Sequence, residues 1–246
     1  MRTNPFSDTV SFLLQPAWTT AVFWILLIAS VAIAIINWRR DPRQHTIRHA
    51  WSFLFRLIVG AMWWQKSLWK LPPTYTDRAD GTGGLHYWIG EMTHWAAFGL
   101  QRNFVEKAIQ PHFYFFAPQV YAGEVLIAVS LMLGFFTRIG GFLGTLMAAN
   151  LWLGLYRAPY EWPWTYFFLL AAQITFLVYA PGYSLGLDAL RANCAPPLET
   201  TKTPPGRIQT VAYPAPCRRD SDDDPAVPGQ MLVGGPARDK SGMDFN

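Results

Sequence analysis

Charged side chains are scarce in this sequence. Only 15% of its 246 residues are Asp, Glu, Lys or Arg, against 51% hydrophobic and 16% aromatic. A soluble domain carries about a quarter charged residues, so this composition excludes an ordinary water-facing surface and points to a membrane protein. Cysteine is scarcer still. Cys194 and Cys217 are the only two, both near the carboxyl end, and they form no C-x-x-C pair, zinc spacing or disulfide framework. The five histidines are poorly placed for a haem. His45 and His49 sit in or beside a basic segment, and His86, His94 and His112 lie between apolar runs, so no facing pair lies deep in a span. His86 and His94 fall within about 80° on one helical face, a weak metal signal. No metal, haem or flavin site is read, and no nucleic-acid partner is expected.

Long apolar runs dominate what remains. After a short polar leader at 1–16, residues 17–37 read as a retained N-terminal transmembrane helix. The apolar run is too long for a signal peptide and is followed by NWRRDPR, without a small-x-small cleavage site. Residues 37–50 form a basic loop with Arg39, Arg40, Arg43 and Arg48, which by the positive-inside rule is cytoplasmic. The amino terminus is then outside. Further spans are read at 51–70, 119–137, 139–156 and 162–181, with Arg138 alone in a tight cytoplasmic hairpin. Between them, 72–117 is an outer insertion. Its residues 85–109 have a helical apolar period and are expected either to lie at the outer interface or to form a small soluble helix packed on loops. Residues 187–246 lose all pattern and are expected to be a disordered cytoplasmic tail. Gly140, Gly144 and Ala148 make a small-xxx-small packing stripe. Tryptophans, twelve in all, gather towards the outer side as an aromatic belt.

The segment 51–70 carries charge where a span should not. Arg56 and Lys70 return to within roughly 40° of one face, with Gly60, Trp63 and Ser67 near it and Lys66 well off it. Cations at such depth are costly unless paired or snorkelling. Glu124 is the one carboxylate within an apolar span, at a depth matching Lys66, with Lys70 about a turn shallower. A contact between Glu124 and Lys66 or Lys70 is expected. Three readings stay open: a polar pocket that hydrogen-bonds a quinone or relays a proton, a bundle-specifying ion pair, or a Glu124 that is simply protonated.

Two stretches carry a resemblance. RLIVGAMWWQKSLWKL joins an arginine, a glycine and a lysine near the outer end. YAGEVLIAVSLMLGFFTRIGGFLGTLMAANLW joins a glutamate, a Thr-Arg turn and a glycine-rich return helix. Over residues 50–182 the chain resembles the DoxX/DoxD family of four-helix membrane proteins, with an extra first span and the insertion at 72–117. Both additions resemble the DoxD branch, which is similar to the small membrane subunit of thiosulfate:quinone oxidoreductase. The resemblance implies an all-α polytopic bundle in a bacterial or archaeal plasma membrane, with a quinone as cofactor and a second subunit or larger redox complex as partner. Glu124, Arg56 and Lys66 would then be the catalytic candidates, and Lys70, Arg138 and Trp63 the cofactor-binding ones. A non-catalytic scaffold or assembly subunit is the alternative.

Overall fold

A computed structural model describes residues 4–76 and 83–194. Among them every regular element is helical. The expected leader contains a helix, α1 (Pro5–Leu14), because Asn4 accepts the Phe6 N–H at 2.9 Å and Pro5 occupies the first helical position. Helix α2 (Trp18–Arg40) follows after a short break. It runs past the expected boundary, so Arg39 and Arg40 occupy its last turn, where cations complement the helix C-terminus. The expected basic loop thereby shrinks to residues 41–46, and Arg48 joins the first turn of α3 (Ile47–Ser67). A 3₁₀ turn, Leu68–Lys70, extends α3.

The single amphipathic helix expected over 85–109 is instead broken into α4 (Gly84–Trp95), α5 (Gly99–Phe104) and a π-type turn, Val105–Ile109. The break has a cause in the backbone. Ala97 donates its N–H to Leu153 O at 2.8 Å, and Arg157 donates to Trp95 O at 3.0 Å, so this corner is stitched to the end of a later helix rather than to itself. On the expected apolar face Leu85, Ile89 and Met92 are buried, while Leu100 is 83% exposed.

Helix α6 (Phe113–Leu133) starts inside the expected outer insertion. The expected span begins at 119, just after Pro118. So close to the real start it frees only one carbonyl, that of Tyr114, so the helix passes through it. Gly134, left-handed at φ 67°, ends α6, and α7 (Thr137–Gly154) begins three residues later. The hairpin therefore turns at 134–136, and Arg138 lies in the first turn of α7 rather than in the loop. Helix α8 (Pro163–Tyr179) matches the expected last run. The tail expected to be disordered from 187 begins with a helix, α9 (Leu187–Cys194). Its remainder, with Cys217, lies outside the described residues, as do 77–82 of the insertion.

Helices α3 and α6 pack antiparallel, as do α7 and α8. A Cβ on Gly60 would sit 2.9 Å from the backbone nitrogen of Met132, so only glycine allows α3 and α6 to approach this closely. The stripe Gly140, Gly144 and Ala148 is buried against neighbouring helices. One core joins Val59, Trp63 and Trp64 of α3 to Ile127, Ala128, Leu131 and Met132 of α6. A second lies beneath α4, where burying Leu85, Ile89 and Met92 contributes about 1.5–3 kcal/mol each. Among the described residues two helices, α2 and α6, are long and apolar enough to cross a membrane. Exposed positions are also apolar, including Ile139, Phe142 and Leu146 on α7 and Phe168, Ile174 and Val178 on α8.

Candidate functional site

The face expected on α3 is the face that is buried. Arg56, Gly60, Trp63, Ser67 and Lys70 are shielded, and Lys66 is exposed. The 3₁₀ turn after Ser67 carries Lys70 back over α6, where its Nζ donates directly to Glu124 Oε1. The two side chains are 6% and 2% exposed. The Trp69 ring lies 4.4 Å from Nζ, adding a cation–π contact. Lys66 does not reach Glu124 in a salt bridge, although sequence depth favoured it. Lys66 is exposed and lines the cavity beside the pair without joining it.

The pair borders a cavity of about 460 Å³. Its walls come from α3, α6, α7 and α8, with α4 and the π-type turn across the outer side. The lining is mainly apolar and aromatic. Trp63, Trp69 and Trp88 contribute rings, and Asn150, Thr165 and Tyr166 contribute polar atoms. Two residues of this lining each carry a buried atom with no hydrogen-bond partner among the described residues, Glu124 Oε2 and the Trp63 indole N–H. One accepts and the other donates. A buried polar group without a partner costs about 1–3 kcal/mol, so a ligand that meets both recovers that cost. The lysine ammonium can donate to a ligand oxygen or hold a proton beside it.

The remaining expected site residues are elsewhere. Arg56 is about 21 Å along α3 from Lys70. It is fully buried and donates through Nη1 to the carbonyls of Leu131 (2.5 Å) and Met132 (3.1 Å), the orphan acceptors at the end of α6. Asp188 supplies nearby negative charge. Arg138 is exposed at that same end and does not join Lys70 and Glu124. The expected five-residue polar core is therefore two separate clusters at opposite ends of the α3–α6 pair.

Sequence reasoning missed Asp188. Its Oδ1 accepts the Phe136 N–H at 2.8 Å, and its Oδ2 accepts the Thr137 N–H and hydroxyl, each at 3.1 Å. It caps α7 from outside and docks α9 on the hairpin. The signal was an acidic residue in the first turn of LDALRANC, a segment read as tail. Also missed was Glu91, which accepts from Trp95 Nε1 at 3.0 Å and from the Tyr160 hydroxyl, tying α4 to the α7–α8 loop. His86 packs edge-on against the Phe113 ring at 5.1 Å, and no group of three His, Cys, Asp or Glu side chains comes together among the described residues. No family model, curated protein or solved structure matches the chain.

Proposed function

We propose that the chain is a multi-pass membrane subunit of a quinone-linked redox system, similar to DoxX/DoxD proteins, and that the cavity beside Lys70 and Glu124 receives the quinone ring. The observation that carries this reading is an aromatic-lined cavity of about 460 Å³ whose lining includes the buried Lys70–Glu124 pair and Trp63, with Glu124 Oε2 and the Trp63 N–H left unpartnered. That volume lies in the range of small-molecule sites. A bound quinone would supply a two-electron, two-proton couple. Trp63 and Lys70 present donors suited to a ring carbonyl, Glu124 presents an acceptor suited to a hydroxyl, and the indole rings offer flat apolar faces.

The multi-pass reading rests on the outward faces. A water-facing bundle turns polar residues outward, whereas α7 and α8 turn Phe142, Leu146, Phe168 and Val178 outward. Their 18 and 17 residues reach about 27 and 26 Å, close to a hydrocarbon core. A non-catalytic assembly subunit is the second reading. It draws on α1, whose Phe6, Val10 and Leu14 are exposed on one face that could take a partner or lie in the headgroup layer.

Purification from native membranes, followed by solvent extraction and identification of co-purifying proteins, tests both. Quinone retained by the wild-type chain and depleted in Glu124→Gln supports the first reading. A stoichiometric protein partner with quinone at the level of bulk lipid supports the second.

A further inference from the structure

The arginine end of the molecule holds a second cavity, of about 320 Å³, remote from Lys70 and Glu124. It is lined by the start of α7 and by α9, with Arg138 from the first, Arg191 from the second, and Tyr183 from the turn between α8 and α9. Arg191 is held in place without an acid. Its guanidinium carbon lies 4.5 Å from the Phe136 ring and 5.2 Å from the Phe135 ring. Stacking fixes the plane of the guanidinium and leaves its edge N–H groups free. Among the described residues neither Arg138 nor Arg191 forms an ion pair or a side-chain hydrogen bond. The one carboxylate in the wall, Asp188, is engaged by the Phe136 N–H, the Thr137 N–H and the Thr137 hydroxyl. It is turned to the hairpin rather than to the arginines.

We propose that this cleft binds a phosphate group, with Arg138 and Arg191 as its two clamps. Guanidinium forks match phosphate oxygens in pairs, and two of them, one from α7 and one from α9, line this small cavity. Arg39, Arg40, Arg43 and Arg48 gather where α2 meets α3, and the Gln44 side chain of that linker accepts the Leu185 N–H just before α9. Such a basic end faces the anionic leaflet of a membrane, which favours a lipid headgroup as the source. Soluble phosphate has the same chemistry and is the other source.

Native mass spectrometry of the full chain in a delipidating detergent tests the cleft, with phosphatidylglycerol, diacylglycerol and inorganic phosphate as probes. Phosphatidylglycerol is expected to bind well above phosphate-free diacylglycerol. Arg138→Gln with Arg191→Gln should weaken it about tenfold, the factor expected from two partly exposed charge contacts. Arg39→Gln with Arg40→Gln removes the same charge outside the cleft and should leave binding within about twofold. Inorganic phosphate that displaces the lipid and binds in its place assigns the site to a soluble phosphate, and failure to displace it assigns the site to lipid. Equal binding of diacylglycerol, or equal loss in the two double variants, overturns the proposal. All four side chains are exposed, so melting temperatures should match wild type, which keeps the comparison valid.

Discussion

Removing one member of the Lys70–Glu124 pair leaves the other buried without its counterion. Glu124→Gln keeps the side-chain shape and removes the charge, stranding an ammonium that is 6% exposed. Breaking a buried pair costs about 3–5 kcal/mol. A smaller cost, about 2–3 kcal/mol, is expected here for two reasons. Lys70 is the last residue of its helical turn and can swing its amine outward, and the Trp69 ring continues to face it. Lys70→Met should cost a similar amount by stranding the carboxylate. The double variant should cost less than the sum of the two single changes, because it leaves no charge buried without its counterion. Thermal unfolding in detergent, read by circular dichroism, should show single variants lowered by about 5–10 °C and a coupling above 1 kcal/mol. Lys66→Met, at an exposed position, should stay within about 0.5 kcal/mol of wild type. Additive losses in the double variant, or a Lys66→Met loss equal to that of Lys70→Met, would refute the pairing.

Asp188→Ala deletes the acceptor of three hydrogen bonds at the α6–α7 hairpin and should cost about 1–3 kcal/mol. Hydrogen exchange gives the specific sign: the Phe136 and Thr137 amides should lose protection while those in the middle of α3 keep theirs. Topology is checked by labelling in intact cells, after both native cysteines are replaced by serine. Leu100→Cys, at an 83% exposed position, should react with an impermeant reagent from outside, and Arg40→Cys should react only after permeabilisation. The reverse pattern would invert the orientation.

The helices were legible where composition alone decides them. Residues 17–37 and 162–181 are apolar on all sides, and the observed α2 and α8 keep those limits to within a few residues. Boundaries failed where a tertiary contact or one residue outweighs pattern. Helix α6 starts at Phe113, six residues before the expected 119, Gly134 ended α6 before the charged landmark at Arg138, and the α7 backbone broke the long period of 85–109 at Ala97. Periodicity on α3 placed Arg56 and Lys70 on one buried face, because azimuth follows directly from residue number. Depth and charge named Lys66 or Lys70 as the partner of Glu124, and the structure selects Lys70. Depth arithmetic treated α3 as a uniform helix, whereas the 3₁₀ turn at Leu68–Lys70 carries Lys70 to Glu124. Arg138 was joined to that site through the family resemblance, but it lies at the opposite end of the α3–α6 pair. The cavity itself was not legible, since its walls draw on four helices and a cover whose geometry no single segment encodes.

Ligand binding at Glu124 is measured most directly by quenching of tryptophan fluorescence with a short-chain quinone, since Trp63, Trp69 and Trp88 all line the cavity. The wild-type chain in nanodiscs should show saturable quenching. Glu124→Gln should weaken it by tenfold or more, the loss of a charged hydrogen bond worth about 1.5–3 kcal/mol. Val120→Phe, which fills the cavity one helical turn from Glu124, should abolish it. Quenching that is linear in quinone, or identical in all three proteins, would contradict a quinone site beside Lys70 and Glu124.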